Sequence, residues 1–120
     1  MNSVPLFNRK VLTELSAELG EDGTIEVMKV FLADTARKMR VIGTDGLSRS
    51  LVKREAHSIK SSAATFGFER LSKLARELEA AVEDMDATPL AASIRTLRQT
   101  FSETAGFAET ELLATAGVSR

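Results

Sequence analysis

One imidazole with cations on either side of it is the group of side chains in this sequence best placed to handle a charged substrate. His57, the only histidine, stands in REAHSIKSSAATFG, residues 54–67, with Lys53 and Arg54 one turn before it and Lys60 one turn after. Three kinds of chemistry compete for such a residue: a buried structural histidine, a metal ligand and a nucleophile. A divalent ion needs further imidazole, thiolate or carboxylate ligands and is repelled by neighbouring cations, which argues against the metal. A neutral imidazole is a competent nucleophile near pH 7, and the flanking positive potential favours an anion beside it. No G-x-S-x-G or H-E-x-x-H pattern accompanies it, and neither G-x-x-x-x-G-K-[ST] nor G-x-G-x-x-G occurs, so hydrolase chemistry and self-phosphorylation from ATP have no visible basis.

Helical periodicity separates the buried and exposed readings. Val52, Ala56, Ile59, Ala63 and Phe66 follow one another at spacings of four, three, four and three, which marks the inward stripe of a helix. On a helical wheel His57 lies roughly 140° from the centre of that stripe and is expected to face solvent. Ser50, Lys53, Arg54, Lys60, Ser61 and Ala64 surround it on the same wheel. Ser61 and Ala64 are small, so the surface beside the ring is low and another protein can approach it.

The elements that must carry this face are all helices. Asn8 is expected to cap a short first helix with Val11, Leu12, Leu15 and Leu19 inward and Gly20 at its end. A second helix starts near residues 22–24, carries Ile25, Met28, Leu32, Thr35, Met39 and Ile42 at steps of three and four, and stops at Gly43. TDGLS, residues 44–48, reads as a turn, with Ser48 capping the helix of His57, which runs to about Phe66 before a left-handed Gly67. Phe68 opens a fourth helix with Leu71, Leu74, Leu78, Ala81 or Val82, and Met85 in its seam. Thr88 caps a fifth helix, with Pro89 in its first turn and Leu90, Ile94, Leu97, Phe101, Ala105 and Ala108 inward. The expected fold is all-α: an antiparallel up-down-up-down four-helix bundle with a short additional N-terminal helix. Residues 1–7 and 116–120, the second within the tail ATAGVSR, are expected to fray.

Composition narrows the setting. The 120 residues, 43% of them apolar, suit one domain, residues 1–120, with one core. Sixteen basic and seventeen acidic residues nearly cancel, so no global field draws the chain to nucleic acid or an anionic membrane. No cysteine is present, which suits a reducing, cytoplasmic setting. No apolar run reaches the ~20 residues of a membrane span, and MNSVPLFNRK does not resemble a signal peptide, so the chain is expected to be complete from Met1. Met28, Met39 and Met85 read as packing residues, and Lys73 and Glu77 as a surface pair. Val27, Val30, Phe31 and Leu51 are candidates for an apolar docking patch, with core packing the competing reading for Phe31.

His57, Lys60, Ser61, Phe66, Gly67 and Leu71 are spaced as in the histidine-containing phosphotransfer (HPt) domains of bacterial and fungal phosphorelays, whose motif reads roughly H-x-x-K-G-x-x-x-x-hydrophobic-G-x-x-x-L. AHSIKSSAATFGFERLSKLARELE resembles that family throughout, and the helix layout extends the likeness over residues 8–115. The resemblance implies that His57 accepts a phosphoryl group from a receiver-domain aspartyl phosphate and passes it to another receiver aspartate. It implies that Lys60 neutralises phosphate charge; Ser50, Lys53, Arg54, Ser61 and Ala64, which the wheel sets around the ring, are the expected docking residues. Ser61 departs from the family glycine. Glu79 lies near where several relatives place a glutamine that touches the imidazole; as part of a charge-rich helix it is expected to be a solvated carboxylate. The implied partners are response-regulator receivers and a hybrid histidine kinase. Mg²⁺ is expected on the receiver, with no cofactor, nucleic acid or membrane partner for this chain, which is expected to be a monomer. The alternatives are a phosphorylation-independent helical adaptor using the same face and the N-terminal module of a larger kinase.

Overall fold

In the computed structural model the chain is described over residues 4–42 and 48–113. Four helices follow in order: α1 (Arg9–Ile42), α2 (Arg49–Thr65), α3 (Glu69–Ala81) and α4 (Ala87–Phe107), the last continued by a wider π-type stretch, Ala108–Leu113. α1 holds the two helices expected from the sequence, joined end to end at Gly20, whose φ of 77° and ψ of 169° no other residue adopts readily. The Thr24 hydroxyl donates to the Gly20 carbonyl at 2.7 Å and steadies the restart. Gly43 and most of the TDGLS turn lie outside the described residues, as does the tail from residue 114. Ser48 caps α2 as expected: the Leu51 amide donates to its hydroxyl at 3.2 Å. The α4 cap differs. Asp86 is the extended residue before the helix, leaving Thr88 and Pro89 both inside its first turn, where proline loses no helical hydrogen bond.

The four helices pack with α2 and α3 as the most intimate pair, α1 beside α2 and α4 beside α3. Met28, Phe31, Met39, Ile42, Val52, Ala56, Ile59, Ala63, Phe68, Leu71, Ala75, Leu78, Val82, Leu90, Leu97 and Ala108 form one core. The expected stripe of α2 is buried except for Phe66, which packs at its edge. Val82 rather than Ala81 completes the α3 seam, and Leu19 is about half exposed instead of inward. Phe31 is core. Val30 is exposed while Val27 and Leu51 are half-buried, so the expected apolar patch lacks its aromatic member.

The N-terminal strap packs along the bundle. Phe7 packs between Phe68 and Phe107, with ring centres 5.2 and 5.3 Å away, and Phe31 lies 5.1 and 5.3 Å from Phe66 and Phe68. The Arg70 Nε donates to the Val4 carbonyl at 3.0 Å, and the Asn8 amide to the Gly67 carbonyl at 2.8 Å. Asn8 also caps α1, its side-chain oxygen accepting from the Lys10 amide at 3.0 Å.

Candidate functional site

The α2–α3 hairpin is fixed at three levels, and the site sits between two of them. At the turn, Phe66 ends α2 and Gly67 takes φ +83°, so that the Phe68 amide reaches the Ala63 carbonyl at 2.9 Å and the Gly67 amide the Ala64 carbonyl at 3.1 Å. These are the two bonds of a Schellman ending, which satisfy carbonyls the helix would otherwise leave open. One stage further along, the Ser72 hydroxyl donates to the Lys60 carbonyl at 2.8 Å. At the far end, Arg49 Nη1 donates to the Val82 and Met85 carbonyls, both at 2.6 Å, and closes the C-terminal end of α3.

Between the Ser72 and Arg49 levels, His57 projects from α2 with 62% of its side chain exposed. The imidazole is not solitary. Its Nδ1 lies 2.8 Å from Glu79 Oε2, and the other oxygen of the same carboxylate lies 2.9 Å from Lys60 Nζ. Glu79 is only 21% exposed. The expectation of a solvated carboxylate is therefore corrected: Glu79 bridges His57 and Lys60 of α2. Lys60 first and His57 second hold its carboxyl below the usual carboxylate range, against a smaller opposing effect of burial. An ionised carboxylate can only accept, so the proton of the neutral ring belongs on Nδ1 and the lone pair on Nε2. The hairpin explains the encounter. His57 and Glu79 each stand eleven residues from Phe68, and residues equidistant from the turn of an antiparallel helix pair share a level. That symmetry is the sequence signal that points to Glu79.

The other candidates are arranged around this centre rather than in it. Ser50, Lys53, Arg54, Ser61 and Ala64 are all exposed along α2. Lys53 pairs with Glu83 of α3 at 3.3 Å and Arg54 with its neighbour Glu55 at 3.4 Å. Ser50 shares a 2.7 Å hydrogen bond with Ser48 and belongs to the start of the helix. Lys73 and Glu77 form the expected surface pair at 3.6 Å. Among the described residues no three His, Cys, Asp or Glu side chains converge on a metal-sized space, and no helix is long and apolar enough to cross a membrane.

An outward histidine on a helical bundle is the arrangement expected from the sequence motif, and the sequence model of the Hpt domain matches residues 10–107. The chain belongs to the Hpt domain family. Histidine phosphotransfer in a phosphorelay is accordingly its function, and receiver domains are its partners. This Hpt domain is similar to the phosphorelay protein LuxU of Vibrio vulnificus strain YJ016, with 32% identity over 84 residues, covering 68% of this chain and 73% of that protein. It shares 36% identity over 75 residues with LuxU of Vibrio harveyi, covering 58% and 63% of the two chains. Its fold matches the crystal structure of the histidine-containing phosphotransfer protein HptB from Pseudomonas aeruginosa PAO1, with a TM-score of 0.80, 22% identity and coverage of 91% and 96%.

Proposed function

We infer that His57 is the phosphoacceptor, with Nε2 as the attacking atom. One observation carries this: the sole histidine of a phosphotransfer domain exposes its ring while Glu79 holds Nδ1 from behind. The Nε2 lone pair attacks the phosphorus of a receiver aspartyl phosphate, a phosphorus–nitrogen bond forms, and the phosphorus–oxygen bond breaks to return the receiver carboxylate. Transfer to a second receiver runs the same steps in reverse. Attack places positive charge on the ring, and the Glu79 carboxylate beyond Nδ1 stabilises it while keeping the proton away from Nε2. Lys60, 29% exposed and tethered only through its ammonium, turns from Glu79 toward the incoming phosphoryl oxygens. The receiver brings its aspartate and Mg²⁺.

The low surface around Ser61 and Ala64 and the cations Lys53 and Arg54 make this side of α2, with Ser50 at its start, the face a receiver covers. A hybrid histidine kinase upstream, a monomeric state and a cytoplasmic location complete the proposal, with no nucleic-acid or membrane partner. The deciding experiment is incubation with a phosphorylated receiver, followed by tests for an acid-labile, alkali-stable phosphate. Wild type gains the label and His57→Ala gains none, while stability stays within about 0.5 kcal/mol because an exposed ring contributes little packing. Labelling of the variant would sink the assignment.

A further inference from the structure

Beside the phosphoacceptor face, toward the Gly67 turn, the α2–α3 pair carries a second hollow of about 330 Å³. Val4 of the strap, Ala64 of α2 and Glu69, Ser72, Lys73 and Arg76 of α3 line it. Ala64 belongs to both regions, since it follows His57 by seven residues on the same exposed side of α2. Arg76 precedes Glu79 by three residues on α3, which puts the hollow one turn from the carboxylate that holds His57. A protein seated over His57 overhangs this space.

The lining carries two cations and one carboxylate. Arg76 is exposed and enters no ion pair among the described residues. Lys73 is held only by the loose 3.6 Å contact with Glu77, itself more than half exposed. The one carboxylate of the lining, Glu69, is engaged by Asn8 Nδ2 at 2.7 Å. The Ser72 hydroxyl is committed to the Lys60 carbonyl, so the floor offers small side chains and no reacting group. What remains is a low ledge with a guanidinium and an ammonium at its edge, continuous with the site of phosphoryl exchange.

We propose that Lys73 and Arg76 form a docking ledge that selects receiver domains carrying acidic side chains on the surface that meets the turn end of the α2–α3 hairpin. The proposal rests on His57 as the phosphoacceptor and extends the surface a receiver must match. Charges at the rim of an encounter surface act on association and partner choice more than on the reaction that follows.

The test uses the full chain and the receiver domain of its own organism that exchanges phosphate with it fastest. Transfer rates are measured against receiver concentration, at low and high salt, for wild type, the double variant Lys73→Glu with Arg76→Glu, and the milder Lys73→Gln with Arg76→Gln. Phosphoramidate, a small phosphodonor that needs no docking surface, labels His57 in parallel, and circular dichroism checks helicity. The charge reversal should raise KM for the receiver about tenfold with kcat within about twofold, and salt should narrow the gap. The glutamine pair should fall between, and phosphoramidate labelling should be unchanged. An unaltered KM, a fall in kcat alone, or competition by inorganic phosphate that only wild type shows would overturn the ledge. A wild-type chain that neither donor labels removes the phosphoacceptor reading first, a result distinct from a shift in KM.

Discussion

A carboxylate placed between an imidazole and an ammonium does two jobs that a neutral amide would do less well. Glu79 fixes the Nδ1 proton through one oxygen and parks Lys60 through the other, at 2.8 and 2.9 Å. Lys60→Ala should therefore slow transfer at saturating receiver while leaving KM within about twofold, because its charge matters most as the phosphoryl group moves; single-turnover rates across a receiver titration decide this. Glu79→Gln keeps a hydrogen-bond acceptor for Nδ1 but loses the charge, so its transfer rate should fall while the histidine stays labelled. The two proteins should also differ in stability with a definite pH sign. The folded-state pKa of Glu79 is depressed, so its contribution is fully present above the ordinary value of 4.5 and is lost as pH falls through the lower folded value. Urea denaturation of wild type and Glu79→Gln should show a gap that closes as pH falls below that value; a gap undiminished well below it would contradict the depressed pKa. At this scale the sequence displayed His57 and Lys60 through the helical wheel and the motif. Periodicity alone did not display Glu79 as a partner, because the contact depends on pairing across a turn, which only the equal spacing of His57 and Glu79 about Phe68 signals.

Periodicity served the helices well where one face is buried. The α2 stripe at Val52, Ala56, Ile59 and Ala63 is wholly inaccessible, and Ser48 and Gly67 bound that helix as their chemistry requires. It served less well at ends. Asp86 displaced Thr88 as the cap of α4 without a side-chain bond to the helix, and the strap from Val4 is held by long-range aromatic contacts that no local pattern encodes. The exposed side of α2 carries the test of access. Ser61, one turn past His57, replaces the family glycine and is exposed, so a larger side chain there meets a partner rather than the core. Ser61→Gly should preserve or raise transfer, although it weakens the helix by about 0.5–1 kcal/mol. Ser61→Leu should leave the circular dichroism spectrum unchanged and suppress both receiver binding and labelling. Normal exchange by the leucine variant would show that receivers do not cover this flank.

Over the whole molecule, a chain of contacts runs from the N-terminal strap to the α2–α3 hairpin that carries His57 and Glu79. Phe107, Phe7, Phe68, Phe31 and Phe66 pass from α4 through the strap to the α2–α3 turn, then to α1 and back to the end of α2. Gly67 is the link with least tolerance. Its φ of +83° disfavours any side chain, and a Cβ there would stand 2.9 Å from the Asn8 carbonyl oxygen and 3.0 Å from Val11 Cβ, both parts of the strap and the start of α1. Gly67→Ala must either keep the strained backbone or push the strap away, and the cost should be about 1–3 kcal/mol. The two responses are separable. If the backbone holds and the strap yields, hydrogen exchange should quicken at the Asn8 amide, which donates to Gly67, while Ser72 keeps its bond to the Lys60 carbonyl and the phosphoramidate labelling rate stays near wild type. If the turn itself relaxes, α3 shifts against α2, the Glu79 bridge loosens, and labelling falls together with stability. A Gly67→Ala protein as stable as wild type, with unchanged exchange at Asn8, would mean that the strap does not brace the turn and that the α2–α3 pair holds His57 and Glu79 in register without it.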